Sequence, residues 1–564
     1  MHRLNSFFLK NYLYKIKLIS SLIDEVDNKY LYKIIFFNIF SSLLEITNIG
    51  ILIPILFGSK LEKTPFIYNF QIKEGLLIIF LLTIFKGLLN KFVLINQENI
   101  KNKLTDNLKE ETFRKILFSG GEEIRNFSKG ELHSLLINNI NRTVVVLDQF
   151  IRILKYVISI TIYFIGILIL GKSSILPLII ALFSTLFAAL IIPSESWTFG
   201  KMQTNINAIM QKTIGDSLQG LKDVRAASAE KWLLQKYASQ NNAIRNVLFN
   251  TVKKVTSFDV LRDSFIVGFV SLWFLFFFNS IDKIKVIAIL LFSYKGSNYL
   301  SSLIFSYRLM INSLSGYENL KKIRSNLGLS GKSKLENSYK LISINSSNKI
   351  HWEIINKEKN IFLNKIDLQI NSITIIVGNS GSGKTSLLDN FCGLDNAKNS
   401  IWEIEYENKY RKNLKINFNN ISEIISYAPQ NPFLFEASIY ENIFFERFNK
   451  NRKDCVSKIK LLNKWLKYLK LEKNFDENFK VTDEFNLSLN RFSEGEVQRL
   501  GLIRAWIRNK KVEVLDEPTA YLDYETSEIV REIILKRSKK KFLLIATHDQ
   551  ELIKLGGQYL KINN

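Results

Sequence analysis

SITIIVGNSGSGKTSLLDNF, Ser372 to Phe391, joins a β-type run to a helix-type run through a loop of glycines and hydroxyl side chains. Within it, Gly378 to Thr385 is a complete G-x-x-x-x-G-K-T. Glycines let main-chain N–H groups close around phosphate oxygens, and the N-terminus of the following helix adds a favourable dipole. Lys384 is placed to reach the β- and γ-phosphates of a nucleotide, and Thr385 to ligate Mg²⁺. A strand before the loop and a helix after it is the context in which this pattern works. The stretch predicts an α/β nucleotide-binding domain.

The flanking sequence supports that reading. From about Ile350 onward, short runs (IHWEII, EIISYA, KVEVL, KFLLIAT) alternate with helix-patterned segments, which predicts a largely parallel sheet. VEVLDE, Val512 to Glu517, is a strand ending in two acids. Asp516 reads as the holder of Mg²⁺, directly or through water, and Glu517 as the carboxylate that polarises an attacking water. Glu513 interrupts the apolar run expected of a strand buried on both faces, so it requires a partner or a partly polar face. His548 follows the run KFLLIAT, a strand-end position that points to the γ-phosphate side of such a sheet.

The first 310 or so residues are of another kind. Lys and Arg number 77 against 52 Asp and Glu, a net charge of +25, which suits either nucleic acid or an anionic membrane surface. Hydropathy decides for the membrane. Six stretches approach the ~20 apolar residues that a spanning helix needs: 32–57, 76–95, 156–171, 174–193, 265–278 and 284–304. The third and fifth are short unless they extend into their flanks. The long polar stretches 96–155 and 194–264 hold many of the basic residues, among them Lys101, Lys103, Lys109, Arg114, Lys115, Lys222, Arg225, Lys253 and Lys254. By the positive-inside bias they face the cytoplasm, as do both termini. The N-terminal residues carry no removable signal pattern, so insertion is expected to rely on the first span. Two cysteines and four histidines exclude a disulfide framework and a His/Cys metal cluster. Three ionisable residues, Glu45, Lys86 and Lys295, fall near the centres of their spans, where each needs a partner or an aqueous cavity. Glu45 and Lys86 lie at matching depths on consecutive antiparallel helices.

In order, GNSGSGKT, SYAPQNPFLFEASIYENI, FSEGEVQRLGLIRAW, VEVLDEPTAYLD and ATHD resemble the Walker A, Q-loop, signature, Walker B/D-loop and switch-histidine motifs of ABC transporter ATPase domains. The whole chain resembles an exporter-type half-transporter of that family. The implied layout is an all-α, six-helix transmembrane domain with long cytoplasmic extensions (1–325), a Ser/Asn/Lys-rich linker (326–346) and a C-terminal α/β P-loop ATPase domain of ABC type (347–564). SLLEITNIGILIPIL, Ser42 to Leu56, is similar to the first helix of flippases that move lipid-linked oligosaccharides.

The resemblance implies ATP and Mg²⁺ as ligands. Gly378, Asn379, Ser380, Gly381, Ser382, Gly383, Lys384, Thr385 and Ser386 would contact nucleotide; Thr385, Gln430 and Asp516 would hold the metal; Glu517, His548 and Gln430 would act in hydrolysis. Asp523 is the D-loop aspartate, and Ser493 and Gly495 would bind the γ-phosphate of ATP held by a second half-transporter chain. A homodimer is the first expectation and a heterodimer the alternative. The family stacks adenine on an aromatic residue upstream of the P-loop, and Trp352 is the closest aromatic here; it reads either as that stack or as an inward-facing strand residue.

Two departures matter. The signature reads Phe492-Ser-Glu-Gly-Glu496 where the family has Leu-Ser-Gly-Gly-Gln. A carboxylate about 6 Å from a phosphate oxygen costs about 0.7 kcal/mol even in water, while each acid at the following helix N-terminus gains roughly 0.3–1 kcal/mol from the dipole. Weakened ATP-driven dimerisation is expected, with the hydrolytic residues retained. Asp483 to Phe492 also lacks the family's Gly-Glu pair before the signature.

The expected function is ATP-driven export or flipping of an amphipathic, lipid-linked substrate from the cytoplasmic leaflet, in a bacterial inner or plasma membrane, with the ATPase domain cytoplasmic. The alternatives are an ATP-binding regulator or channel with little turnover, and one half of a heterodimeric peptide or drug exporter. A nucleic-acid partner is not expected.

Overall fold

The computed structural model describes residues 2–26, 28–57, 72–170, 183, 196–277, 283–327, 349–354, 365–379, 381–394, 400–406, 409–414, 424–449, 451–474, 480–482 and 492–562. The chain divides into two compact units: Met1–Lys115 with Phe127–Asn326, and Ile116–Asn126 with Leu327–Asn564. The expected span 174–193, the linker from residue 328 to 346, Ser380 and the segment 483–491 lie outside the described residues, apart from residue 183.

The first unit is helical: α1 (His2–Ile23), α2 (Asn28–Phe57), α3 (Ile72–Leu117), α5 (Lys129–Ser134), α6 (Ile140–Leu170), α7 (Ser196–Gln219), α8 (Leu221–Ala226), α9 (Glu230–Phe277) and α10 (Lys283–Asn326), while α4 (Gly121–Arg125) belongs to the second unit. Several expected spans are ends of longer rods. With 46 residues, α3 is on the order of 70 Å long, against about 30 Å for a bilayer's hydrocarbon core. Its first half is apolar and its second half charged, so one uninterrupted helix serves as both span and extension. In α9 the order is reversed, with the polar half first. The short span expected at 156–171 is likewise extended, because α6 starts at Ile140.

Among the described residues, Lys29–Leu52 and Lys73–Leu117 are long and apolar enough to cross a membrane by length and composition. On α3, Leu76, Leu77, Phe80, Leu81, Ile84 and Leu88 are all exposed, the pattern of a helix whose solvent is lipid. Glu45 and Lys86, which matching depth brings within reach of each other, form an ion pair at 3.0 Å. Lys295 pairs with the other Glu45 oxygen, Oε1, at 3.4 Å, and the Tyr299 hydroxyl donates to Oε2, the oxygen that faces Lys86, at 2.7 Å.

The second unit carries two sheets. A five-stranded parallel sheet has the order β6-β7-β8-β3-β9, built from β3 (Ile373–Val377), β6 (Ile425–Ala428), β7 (Val512–Asp516), β8 (Phe542–Ala546) and β9 (Gln558–Lys561). A four-stranded antiparallel sheet has the order β2-β1-β4-β5, from β1 (Lys349–Ile354), β2 (Lys365–Gln369), β4 (Ser400–Tyr406) and β5 (Lys409–Leu414). Successive strand residues enter opposite cores, as strand geometry requires. Ile375, Leu515, Leu543 and Ile545 pack with α14 (Glu494–Ile507) and α15 (Tyr524–Ser538), while Ile376, Val512, Val514 and Leu544 pack with α11 (Lys384–Phe391) and the antiparallel sheet. The remaining helices of the unit are α12 (Ile439–Phe444), α13 (Lys453–Tyr468) and α16 (Gln550–Lys554).

Glu513, fully buried in β7, is matched by Arg537 of α15, whose Nε donates to it at 2.8 Å and whose terminal nitrogen donates to the other oxygen. That fork is the partner the sequence required but could not name. Replacing Glu513 with Ala leaves the arginine buried and uncompensated, and is expected to destabilise the unit by about 3–5 kcal/mol. Glu513→Leu combined with Arg537→Met should recover most of that loss in chemical unfolding of the purified chain, whereas a single variant as stable as wild type would show that the pair is idle.

Candidate functional site

Three parallel strands carry the site. Register pairs β3 with β8 (Ile376 opposite Ala546) and β8 with β7 (Ala546 opposite Asp516), so all three strands end at one edge. The glycine loop leaves β3, the two acids leave β7 and His548 leaves β8, all at that edge. In the loop Gly381 and Gly383 have φ of 81° and 91°, a region open to glycine and strained for other residues. Gly383 precedes α11, and Lys384 and Thr385 open that helix.

A cavity of about 440 Å³ at this edge is lined by Gly381, Gly383, Lys384, Thr385, Ser386, Gln430, Asp516, Glu517, Ala520 and His548. The Thr385 hydroxyl donates to Asp516 at 2.8 Å. The Lys384 ammonium donates to the carbonyls of Gly378 (2.9 Å) and Asn379 (3.2 Å), and lies 2.6 Å from His548 Nε2. Since an ammonium has no lone pair, Nε2 is the acceptor and the imidazole is neutral in this arrangement.

Glu517 has φ of +47°, an uncommon backbone state for a side-chain-bearing residue and a feature of sites held under constraint. Its N–H donates to the Ala546 carbonyl (2.8 Å), its carbonyl accepts from the Gln498 side chain (3.1 Å), and one carboxylate oxygen accepts from the His548 N–H (3.1 Å). The other oxygen, Oε1, is buried without a hydrogen bond, as is Ser382 Oγ in the loop. Both are polar groups that await a partner.

The donor set suits Mg²⁺. Thr385, Asp516 and Gln430 offer hard oxygens only, and no cluster of three His, Cys, Asp or Glu exists among the described residues, so the remaining ligands would come from phosphate and water. Burial pushes the Asp516 carboxyl up to about 6; the Thr385 hydrogen bond opposes the rise, and neighbouring Glu517 adds to it.

The other anticipated residues lie elsewhere. Asp523 caps α15, accepting from the Thr526 N–H at 2.7 Å and its hydroxyl at 2.8 Å, and does not line the cavity. Ser493 and Gly495 also stand outside it, at the start of α14. There Ser493 and Glu496 form a reciprocal capping box: the Glu496 carboxylate accepts from the Ser493 N–H (2.7 Å) and the Ser493 oxygen accepts from the Glu496 N–H (3.4 Å). Glutamate and glutamine both close such a box, so Glu496 keeps a helix start that the family's glutamine would also give. A Cβ at Gly495 would lie 2.5 Å from the Tyr521 carbonyl, so close approach to the D-loop requires glycine there.

Of the two readings of Trp352, the structure matches the inward-facing strand residue and not the adenine stack. Its ring is fully buried, edge-on to Phe391 at 5.4 Å, so it presents no face to a ligand and serves the core. Sequence reasoning also passed over Gln498 and Asp549. The latter is gripped by Arg531 (2.9 Å) and Thr519 (3.0 Å), which hold its carboxyl below the usual range despite burial and tie the His548 loop to the segment after Glu517. Another unanticipated contact lies behind the loop. Gly121, at the start of α4, donates to the Leu394 carbonyl at 2.8 Å, and Arg125 pairs with Asp389 of α11 at 3.6 Å.

Comparison with known proteins agrees with this geometry. A family profile described as ABC transporter matches residues 363–520. The lipoprotein-releasing system ATP-binding protein LolD of Leptospira interrogans is 28% identical over 189 residues, covering 33% of this chain and 75% of that protein. The phosphate import ATP-binding protein PstB 1 of Ligilactobacillus salivarius is 30% identical over 195 residues, covering 34% of this chain and 70% of that one. The fold of the whole chain is similar to that of a bacterial Atm1-family ABC exporter with ATP bound, with a TM-score of 0.75, 14% identity, and coverage of 94% of this chain and 92% of the other.

Metal must displace the Asp516 proton below about pH 6. The Mg²⁺-dependent part of nucleotide affinity is therefore expected to be flat above that value and to fall about tenfold per pH unit below it. Titrations with and without Mg²⁺ across pH 5 to 8, corrected for nucleotide protonation, check this; a flat profile down to pH 5 would exclude Asp516 as the titrating ligand.

Proposed function

Because the chain belongs to the ABC transporter family, and so carries an ATP-binding ATPase domain, we propose that ATP hydrolysis at this cavity drives the movement of an amphipathic, lipid-linked substrate out of the cytoplasmic leaflet. The observation that carries the reading is the convergence of Lys384, Thr385, Gln430, Asp516, Glu517 and His548 on one cavity, in a chain whose other unit presents exposed apolar helices of membrane length.

Each residue has work to do there. Lys384 exchanges the carbonyls and the imidazole that now satisfy it for the β- and γ-phosphates of ATP. Thr385, Asp516 and Gln430 would hold Mg²⁺, which when bound neutralises phosphate charge. Glu517 is anchored through its N–H, its carbonyl and one carboxylate oxygen, and the unpartnered Oε1 is the atom left to accept a proton from attacking water. His548 stands beside both Lys384 and Glu517, where it orients the γ-phosphate.

Ser493 and Gly495, outside this chain's cavity, supply the donors that complete the site of a second copy. A site closed only by two chains converts ATP binding into their approach and hydrolysis into their release. The link to the membrane is covalent: α3 runs from its apolar half into Ile116–Asn126, whose Arg125 pairs with the helix that opens at Lys384. The named relatives span lipoprotein release and phosphate import, so their ATPase resemblance does not discriminate among substrates. The lipid-linked class rests on the exposed apolar faces of α2 and α3 and on the similarity of Ser42 to Leu56 to flippase sequences.

In proteoliposomes, Glu517→Gln is expected to lower ATP turnover by about 10²–10⁴-fold, the range for loss of a general base, while ATP affinity is retained. Turnover within twofold of wild type would remove Glu517 from the mechanism.

A further inference from the structure

Glu45 is a single carboxylate shared by too many cations. Lys86 of α3 and Lys295 of α10 both pair with it, and Lys155 of α6 interacts electrostatically with Glu45 and Lys86 while making no ion pair of its own among the described residues. One layer toward the cytoplasmic end of these helices the charges balance: Asp148 and Glu98 face Arg152 (2.9 Å) and Lys101 (2.6 Å from Glu98). Among the described residues of these two layers, the excess falls in the Glu45 layer. An ion pair that only fixed helix register would need one lysine. Among the described residues, three leave two positive charges without an anion at a depth where an unpaired charge is costly.

Exposure shows where the missing anion would come from. The Lys295 side chain is 46% exposed and that of Lys86 25%, whereas Glu45 is 14% exposed and further tied by the Tyr299 hydroxyl. The ammonium groups thus face outward from a carboxylate held behind them. Nearby on α2 and α3, Phe40, Phe85 and Leu88 are exposed and apolar. Cations beside apolar surface suit a molecule with an anionic head and a hydrocarbon tail.

We propose that Lys86, Lys155 and Lys295 form the site for a phosphate-bearing headgroup of the transported amphiphile, with Glu45 as the internal anion that the headgroup displaces. The inference rests on the transport reading above and adds the charge of the substrate. Displacement would also loosen the tie that Glu45 makes between α2, α3 and α10, so that an occupied site differs mechanically from an empty one.

The test is the ratio of ATP turnover in phosphatidylcholine vesicles with and without phosphatidic acid, with glycerol 3-phosphate in phosphatidylcholine vesicles and a short-chain diacylglycerol as separate arms. Phosphatidic acid is expected to stimulate turnover at least threefold. Lys295→Gln should reduce that ratio to near one, Lys295→Arg should preserve it, and Glu45→Gln should shift half-maximal stimulation to a lower phosphatidic acid content. Stimulation by glycerol 3-phosphate alone would overturn the lipid headgroup as ligand. Stimulation by diacylglycerol alone, or a ratio unchanged in both Lys295→Gln and Lys86→Gln, would overturn the anionic site while leaving amphiphile transport standing. Intact turnover that no amphiphile alters would defeat the transport reading, and this inference with it.

Discussion

The register of three parallel strands is the constraint on which the site depends. β3, β8 and β7 are locked side by side by their main-chain hydrogen bonds, and their shared end aligns the glycine loop, His548 and the Asp516-Glu517 pair. A slip of one residue in any strand would turn its apolar side chains from one core to the other, which the two packed faces forbid. Burial of Ile375, Leu515 and Ile545 on one side and of Ile376, Val514 and Leu544 on the other is thus what fixes the 2.8 Å bond between Thr385 and Asp516. The chemistry is set by packing several residues away.

The same sheet constrains what the site does with strain. Glu517 follows the last residue of β7 and turns at positive φ, a conformation held by bonds from three directions: the Ala546 carbonyl, the His548 N–H and the Gln498 side chain. The last of these comes from the helix capped by Ser493, so that helix also touches the main chain of Glu517. Gly495, pressed against the Tyr521 carbonyl, couples the same helix to the D-loop.

Much of this was legible in the sequence, and the parts that were not share a cause. Local order along the chain was enough for the glycine loop, the paired acids and His548, because each motif is contiguous and its strand-loop context is short-range. The partner of Glu513 was not legible, since Arg537 is 24 residues away on a helix whose face is set by the core. Trp352 stayed open between two readings for a related reason: its position before the loop fits an adenine stack, and only the register of its sheet shows that the ring turns inward onto Phe391. The capping box that Glu496 closes with Ser493 was not read either, because it depends on helix geometry that composition does not show. In the membrane unit, matching depth made a Glu45–Lys86 pair possible, and the structure forms it. The approach of Lys295 and Tyr299 required knowing that α10 packs beside α2.

The central claim is that nucleotide turnover at the β3-β8-β7 edge performs work on lipid. Its most direct measurement is ATP-dependent movement of a headgroup-labelled phospholipid in sealed proteoliposomes with the ATPase domain outside, read as the fraction of label protected from an external reductant. The account predicts that the protected fraction rises with time in Mg-ATP and stays at its starting value with a non-hydrolysable analogue. Equal fractions in both, with ATP being consumed, would contradict it.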